Sequence, residues 1–221
     1  MQRIVCRYNR DVSLGAWNQS QVRICWSEAI AKAGLELDEK RGLIFGPTLP
    51  TGASSDAERI ALNLLTLTEP SQLMDRINQV LPAAIQISCA WVATPGCEDE
   101  NPARLDESDY ELRWSAAPSV SELFSRIADI SRQTTLPFIR EREHKTQKFD
   151  ARPLIINLTP TLGKGPILLT LRNGEQGNLR PEEIFSLLGY LPEADTVQIH
   201  RTELRISSWH EAQKLRRLGR D

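Results

Sequence analysis

Twice along this chain the apolar residues run through a similar order of spacings: alternation, helical spacing, two alternating runs in the first pass and three in the second, helical spacing, alternation. Alternating and 3.6-residue periods cannot exchange roles, because each places one face of its element toward a core. In the first pass, "QRIVCRY" (2–8) sets Ile4, Cys6 and Tyr8 against Arg3, Val5 and Arg7, the pattern of a strand. Ser20 is expected to cap a helix carrying Val22, Ile24, Cys25, Ala29, Ile30 and Ala33, with Gly34 as its stop. "GLIFGPTLPTG" (42–52) is a short strand broken by Gly-Pro and Pro-Thr-Gly turns. "ERIALNLLTL" (58–67) is a strand, "EPSQLMDRINQVLP" (69–82) a helix and "AIQISCAWVAT" (84–94) a strand.

An acidic stretch with no apolar period, "TPGCEDENPARLDE" (94–107), separates the two passes. Then "YELRWSA" is a strand, and Ser119–Gln133 a helix in which Ser119 and Glu122 have capping-box spacing. "LPFIRERE" and "FDARPLIINLTP" read as strands joined by a charged turn, and "PILLTLRNG" (166–174) as a third. "RPEEIFSLLG" (180–189) is a helix opened by Pro181 and two acids, "DTVQIHRTELRI" (195–206) the last long strand, and Trp209–Gly219 a short basic helix. The expected architecture is therefore α+β. It consists of two tandem ferredoxin-like (βαββαβ) subdomains with antiparallel sheets, at 1–95 and 107–207, the second with one extra strand. An acidic linker occupies 96–106, and a basic C-terminal helix 208–221.

The composition narrows the function classes. A chain of 221 residues with 40% hydrophobic and 25% charged residues is that of a folding globular protein. No apolar run approaches a membrane span and the start lacks a signal-peptide core, so a cytoplasmic protein is expected. Cys6, Cys25, Cys89 and Cys97 are scattered, with no C-x-x-C pair and no clustered histidines. No zinc site, disulfide framework, iron–sulfur cluster or other cofactor is expected. The formal net charge of −2 argues against bulk attraction to nucleic acid. Its distribution is uneven: residues 1–138 carry 13 basic and 18 acidic side chains, residues 139–221 carry 14 and 11.

The basic residues concentrate in "REREHKTQKFDARPLI" (140–155). One reading is a cationic ridge of Arg140, Arg142, Lys145, Lys148 and Arg152 that grips phosphates or an acidic surface. The other is a solvated hairpin whose Arg and Glu side chains pair at roughly 0–1 kcal/mol each. Arg152, at the mouth of an apolar strand, needs an anionic partner, with Asp150, Glu182 or Glu183 in reach. An internal ion pair and a ligand anchor both fit it. The two glycines and Asn178 before the helix at 180 offer free N–H groups, but Glu182 and Glu183 already complement that helix end. "GPTLPTGASS" lacks the lysine of a phosphate-binding loop. His144, beside Lys145, is the one histidine placed to act as a general acid or base, whereas His200 and His210 read as surface residues. No nucleophile triad or paired catalytic carboxylates are recognisable.

Three stretches in this order, "REREHKTQKFDARPLI", "LTLRNGEQGNLRPEEIFSLLG" and "IHRTEL", resemble the radical-SAM-associated bacterial domain of unknown function (domain of unknown function 2344). The residues carrying the resemblance are Asp150, Arg152, Pro153, Leu179, Arg180, Pro181, Glu182, Glu183, Arg201 and Thr202. "EAIAKAGLEL" and "PTLPTGASSDAE" match the family's helix end and Pro-x-x-x-Gly loop more loosely. The chain departs from typical members in having "LGAWNQSQV" for a Ser-His-Leu-Asp stretch and "RGLIFGP" for a Gly-Phe-x-Pro loop. The resemblance implies a partner radical SAM protein, fused or separately encoded. The expected function is a non-catalytic adaptor that presents RNA or a ribosome-related substrate to that enzyme through Arg140, Arg142, His144, Lys145, Lys148, Arg152, Arg180 and Arg201. A metal-independent endoribonuclease using His144, suggested by a fold-level likeness to CRISPR repeat-processing enzymes, is one alternative. A pure protein-interaction module is the other.

Overall fold

The computed structural model describes residues 2–97, 100–142, 145–161, 165–173 and 177–207, with only the backbone described for Arg142, Lys145 and Ala194. His144 and the basic helix expected over 208–221 lie outside the described residues. The chain divides into two compact units, 1–106 with 201–221, and 107–200. Both are α+β, and the strand pairs of known register are antiparallel. No described helix is long and apolar enough to cross a membrane.

In the first unit β1 (Gln2–Arg10) pairs with β3 (Ser54–Leu64) and β4 (Ile85–Val92), while β2 (Leu43–Phe45) pairs with β3. Helices α1 (Gln19–Lys32) and α2 (Pro70–Asn78) lie between the strands in sequence and cover one sheet face. The alternation of β1 and β3 sends Ile4, Cys6, Tyr8, Ile60, Leu62 and Leu64 into the core, where they meet Trp26, Ile30, Leu73 and Ile77. Tyr8 and Trp26 pack edge to face with centroids 5.0 Å apart. Helix α1 is capped by Asn18 and not by Ser20: Asn18 Oδ1 accepts from the Gln21 amide at 3.0 Å and Gln21 Oε1 accepts from the Asn18 amide at 2.9 Å. That reciprocal pair satisfies two otherwise open donors one residue before the helix begins. Gly34 ends the helix at φ +63°, where a side chain would be strained.

The stretch expected to be a linker is built into the end of this unit. Pro102 is buried in a short 3-10 turn capped by Asn101. The Asp106 carboxylate accepts from the Ser207 amide at 2.6 Å and its hydroxyl at 2.7 Å. For the same reason residues 201–207, expected in the second subdomain, pack with the first.

The second unit contains β5 (Glu107–Trp114), α3 (Val120–Arg132), β6 (Pro137–Arg142), β7 (Lys145–Asp150), β8 (Ile155–Pro160), β9 (Ile167–Arg172), α4 (Glu183–Leu187) and the start of β10 (Val197–Arg205). Strand order is β10-β5-β9-β8, and β6 and β7 form a separate two-stranded sheet. "FDARPLIINLTP" is thus not one strand. Pro153 removes a ladder donor and sits in a 3-10 turn at Arg152–Leu154, so β7 ends in the hairpin and β8 begins in the main sheet. The additional element is an inserted hairpin and not an extra strand on the sheet. Tyr110, Leu112, Ile127, Leu154, Leu169 and Phe185 form the core. Ser119 caps α3 by accepting from the Glu122 amide at 3.3 Å, while the Glu122 carboxylate accepts from the Tyr190 hydroxyl at 2.7 Å, so only half of the expected capping box forms. Leu62, fully buried in the first unit, is expected to cost about 2–5 kcal/mol on Leu62→Ala, read as a shifted urea midpoint.

Candidate binding hairpin and its anchor

Strands β6 and β7 pair Phe138 with Phe149, Ile139 with Lys148, Arg140 with Gln147, Glu141 with Thr146 and Arg142 with Lys145. Directly opposed residues share a face. Phe138, Arg140 and Phe149 therefore lie on one side, where the two rings meet at 5.5 Å and pack against the second core. Ile139, Glu141, Thr146 and Lys148 lie on the other side, exposed. The single ridge expected from Arg140 through Lys148 does not exist in that form, because the register puts those two residues on opposite faces.

Arg140 is 8% exposed. Its Nε and Nη2 donate to the two Glu183 carboxylate oxygens, each at 2.6 Å, and Nη2 also donates to the Asn178 carbonyl at 2.7 Å. The guanidinium lies over the Phe149 ring, 5.0 Å from its centroid. Hydrogen bonding to Glu183 raises its proton affinity above the usual arginine value, more than burial lowers it. Glu183 further accepts from the Arg180 amide at 2.8 Å. Arg140 is therefore the hairpin's anchor to the start of α4 and is not available to a partner. The bidentate fork fixes orientation as well as distance.

Arg152 is also internal in its bonding. It donates from Nε to the Gln133 carbonyl at 3.1 Å and from Nη1 to the Ile155 carbonyl at 3.0 Å. The acid expected as its partner, Asp150, instead accepts from the backbone amides of Leu136 at 2.7 Å and Arg152 at 2.9 Å. Those two bonds hold the Asp150 carboxyl below the usual aspartate range. Arg201 belongs to the other unit and is 1% exposed, donating to Glu58 Oε1 at 2.8 Å and to the carbonyls of Pro47 and Thr48 at 3.0 and 2.9 Å. Burial removes it from any contact surface. Arg180 remains exposed, 3.9 Å from Glu182, whose carboxyl is pushed up by burial. Lys148 is exposed on the hairpin's outer face, and the side chains of Arg142, His144 and Lys145 lie outside the described residues. Of the expected residues, the fold brings Arg140 and Arg180 together around Glu183 and leaves Arg201 elsewhere.

Among the described residues no three His, Cys, Asp or Glu side chains are grouped to hold a metal ion. Cys6 is buried, which pushes its thiol up to about 12. The residue that sequence reasoning missed is Glu183 as the partner of Arg140. Its only signal was a pair of acids at a helix start, which served Arg152 equally well on paper.

Breaking the anchor on one side, by Arg140→Ala or Glu183→Ala, is expected to destabilise the second unit by about 3–5 kcal/mol in chemical denaturation. Replacing both together with Met and Leu is expected to cost less, since no buried charge is stranded. Asp150 has a depressed folded value, so its contribution is present above the ordinary aspartate pKa and lost as pH falls through the folded one. Asp150→Asn, which keeps an acceptor oxygen, is expected to flatten this acid limb in denaturation midpoints measured against pH.

No curated protein matches the chain. Solved structures are similar to it only at low identity and low TM-score. One is a Cbf5-Nop10-Gar1 complex, at TM-score 0.45 and 9% identity, covering 91% of this chain and 48% of that one. Another is an archaeal box H/ACA sRNP Nop10-Cbf5 complex, at TM-score 0.41 and 11% identity, covering 90% and 46%. The chain spans about half the length of each. One family model matches residues 40–181, which take in the hairpin and the Leu-Arg-Pro stretch but stop short of Arg201 and Thr202. That match extends over more than half of the chain, which belongs to the bacterial family described as "Uncharacterized protein conserved in bacteria (DUF2344)".

Proposed function

We propose that the chain is a non-catalytic cytoplasmic binding module in which the β6–β7 hairpin contacts RNA or a ribosome-related substrate for a separately encoded radical SAM enzyme. Each unit is read as ferredoxin-like, the second with the hairpin inserted. The orders β4-β1-β3-β2 and β10-β5-β9-β8 support this reading, because both place the unit's strands in the sequence fourth, first, third, second.

The single observation that carries the functional reading is the hairpin's division of labour. Its inner face is spent on Arg140, Phe138 and Phe149, which hold it to the unit. Its outer face presents Lys148 beside Ile139, the latter 55% exposed. A two-stranded ribbon is marginal alone, and the anchor keeps this one ordered without using its outer side chains. Lysine at an exposed strand position contacts phosphate as a mobile point charge, and the neighbouring apolar side chain adds contact area.

Filter binding of structured RNA at two salt concentrations tests the reading. Lys148→Glu is expected to weaken binding, and loss of that phosphate contact to reduce the slope of log affinity against log salt by about 1. Affinity indifferent to salt and to Lys148→Glu sinks it.

A further inference from the structure

The sheet of the first unit has a second face that α1 and α2 do not cover, and the 3-10 turn at Pro102–Arg104 packs against β2 and β3. The register sets Arg3 against Asn63, Val5 against Ala61 and Arg7 against Arg59, and on β4 it sets Val5 against Trp91 and Arg7 against Cys89. Neither Val5 nor Trp91 belongs to the core beneath α1 and α2. Val5, Ala57 and Ala61 are nonetheless buried, at 1%, 0% and 0% exposure. Arg7, Arg59 and Trp91 flank them on that face. Arg7 Nε donates to the Asp56 carbonyl at 2.8 Å, Nη1 to Glu203 Oε2 at 3.0 Å and Nη2 to the Thr202 carbonyl at 3.3 Å, while Arg59 Nη2 reaches Glu203 Oε1 at 3.3 Å and Nη1 the Ala57 carbonyl at 3.5 Å; the two side chains are 30% and 16% exposed. Long cationic side chains lying flat over small residues bury their stems and keep their heads at the surface.

The charges on this face do not balance. Among the described residues, Arg3, whose Nε donates to Asn63 Oδ1 at 3.0 Å, has a neutral partner, and Arg7 and Arg59 share the carboxylate of Glu203. Glu58, set against Tyr8, lies on the helix-covered face. Burial and the neighbouring Arg7 charge lower the Arg59 proton affinity, as expected where cations outnumber anions. Beside them stands a flat ring: the Arg59 guanidinium is 5.8 Å from the centroid of Trp91, which is half-buried, and Cys89 next to it is exposed.

From this juxtaposition we infer that the sheet face of the first unit turned away from α1 and α2 binds a single-stranded stretch of RNA, with phosphates on Arg3, Arg7 and Arg59 and a base stacked on Trp91. Single-strand binding surfaces combine these two elements, a cationic track and an aromatic platform that accepts any base. An acidic peptide would meet the arginines but has no use for the ring, which is why RNA is the occupant favoured. The inference concerns a different unit from the hairpin and stands without it.

A short fluorescent single-stranded uridine oligonucleotide, titrated with the full chain at several salt concentrations, tests it. The wild-type chain is expected to bind in a salt-dependent manner. Trp91→Ala is expected to weaken binding roughly ten-fold, and Trp91→Phe, which keeps a ring, to retain most of it. Arg7→Gln is expected to reduce the salt slope by about 0.7, the loss of one phosphate contact on a single strand. Circular dichroism melting of each variant identifies any that is unfolded, and the Phe variant still reads the site if the Ala variant is. Wild-type affinity in both Trp91→Ala and Arg7→Gln overturns the inference, whether or not Lys148→Glu abolishes binding. So does equal competition by polyglutamate, which would assign the face to an acidic protein partner. Binding lost in Trp91→Ala but intact in Lys148→Glu upholds it and removes the hairpin reading instead.

Discussion

The second unit depends on one buried ion pair, Arg140 with Glu183. Removing both charges from water costs several kcal/mol per ion, by order of magnitude, and the return comes only if every donor and oxygen is used. Here the fork meets both carboxylate oxygens, a spare donor takes the Asn178 carbonyl, and a spare lone pair takes the Arg180 amide. Such a pair contributes direction more than raw stability. It ties a hairpin that is outside the main sheet to the first turn of a five-residue helix, two elements too short to hold their own geometry.

The same device recurs with backbone carbonyls as acceptors. Arg10 donates from one nitrogen to the carbonyls of Leu14 and Trp17, Arg76 to those of Ala33 and Gly34 past the end of α1, and Arg201 to those of Pro47 and Thr48. Carbonyls at helix ends and in loops have no ladder partner, and a guanidinium carries five donors in a fixed plane. Arginine therefore closes the irregular parts of this fold much as glycine and proline open them. The "GPTLPTG" stretch, which lacks the marks of a phosphate loop, is held by Arg201 in this way.

This use of arginine explains why Arg140, Arg152 and Arg201, expected at a contact surface, are internal. A run of charge such as 140–152 looks in a sequence like a charged surface, and Arg201 is expected there through the family resemblance. Each is instead consumed by groups distant in sequence, at separations of 43, 19 and 143 residues for Arg140 with Glu183, Arg152 with Gln133 and Arg201 with Glu58. Lys148 and Arg180 stay exposed, in keeping with their solvated strand and turn positions. Conversely, Arg3, Arg7 and Arg59 were visible only as the polar half of an alternating pattern. Nothing local marks them as a cluster; β4 brings Trp91 into reach by pairing with β1, and β10 brings Glu203 beside β3.

What the sequence by itself determined is most of the elements, their order and the faces they bury, since strand alternation, helical spacing and Gly34 are local properties of the backbone and its nearest neighbours. It also determined the family, through short stretches within 40–181. Only the tertiary structure decided that one expected strand splits between two sheets, that Asn18 caps α1, that the acidic stretch near residue 100 folds into the first unit, and that Arg140 is an anchor. These depend on pairings between residues far apart along the chain. The energy of such a pairing depends on burial and on which competing partners are within a few ångströms, and neither quantity is carried by spacing along the chain.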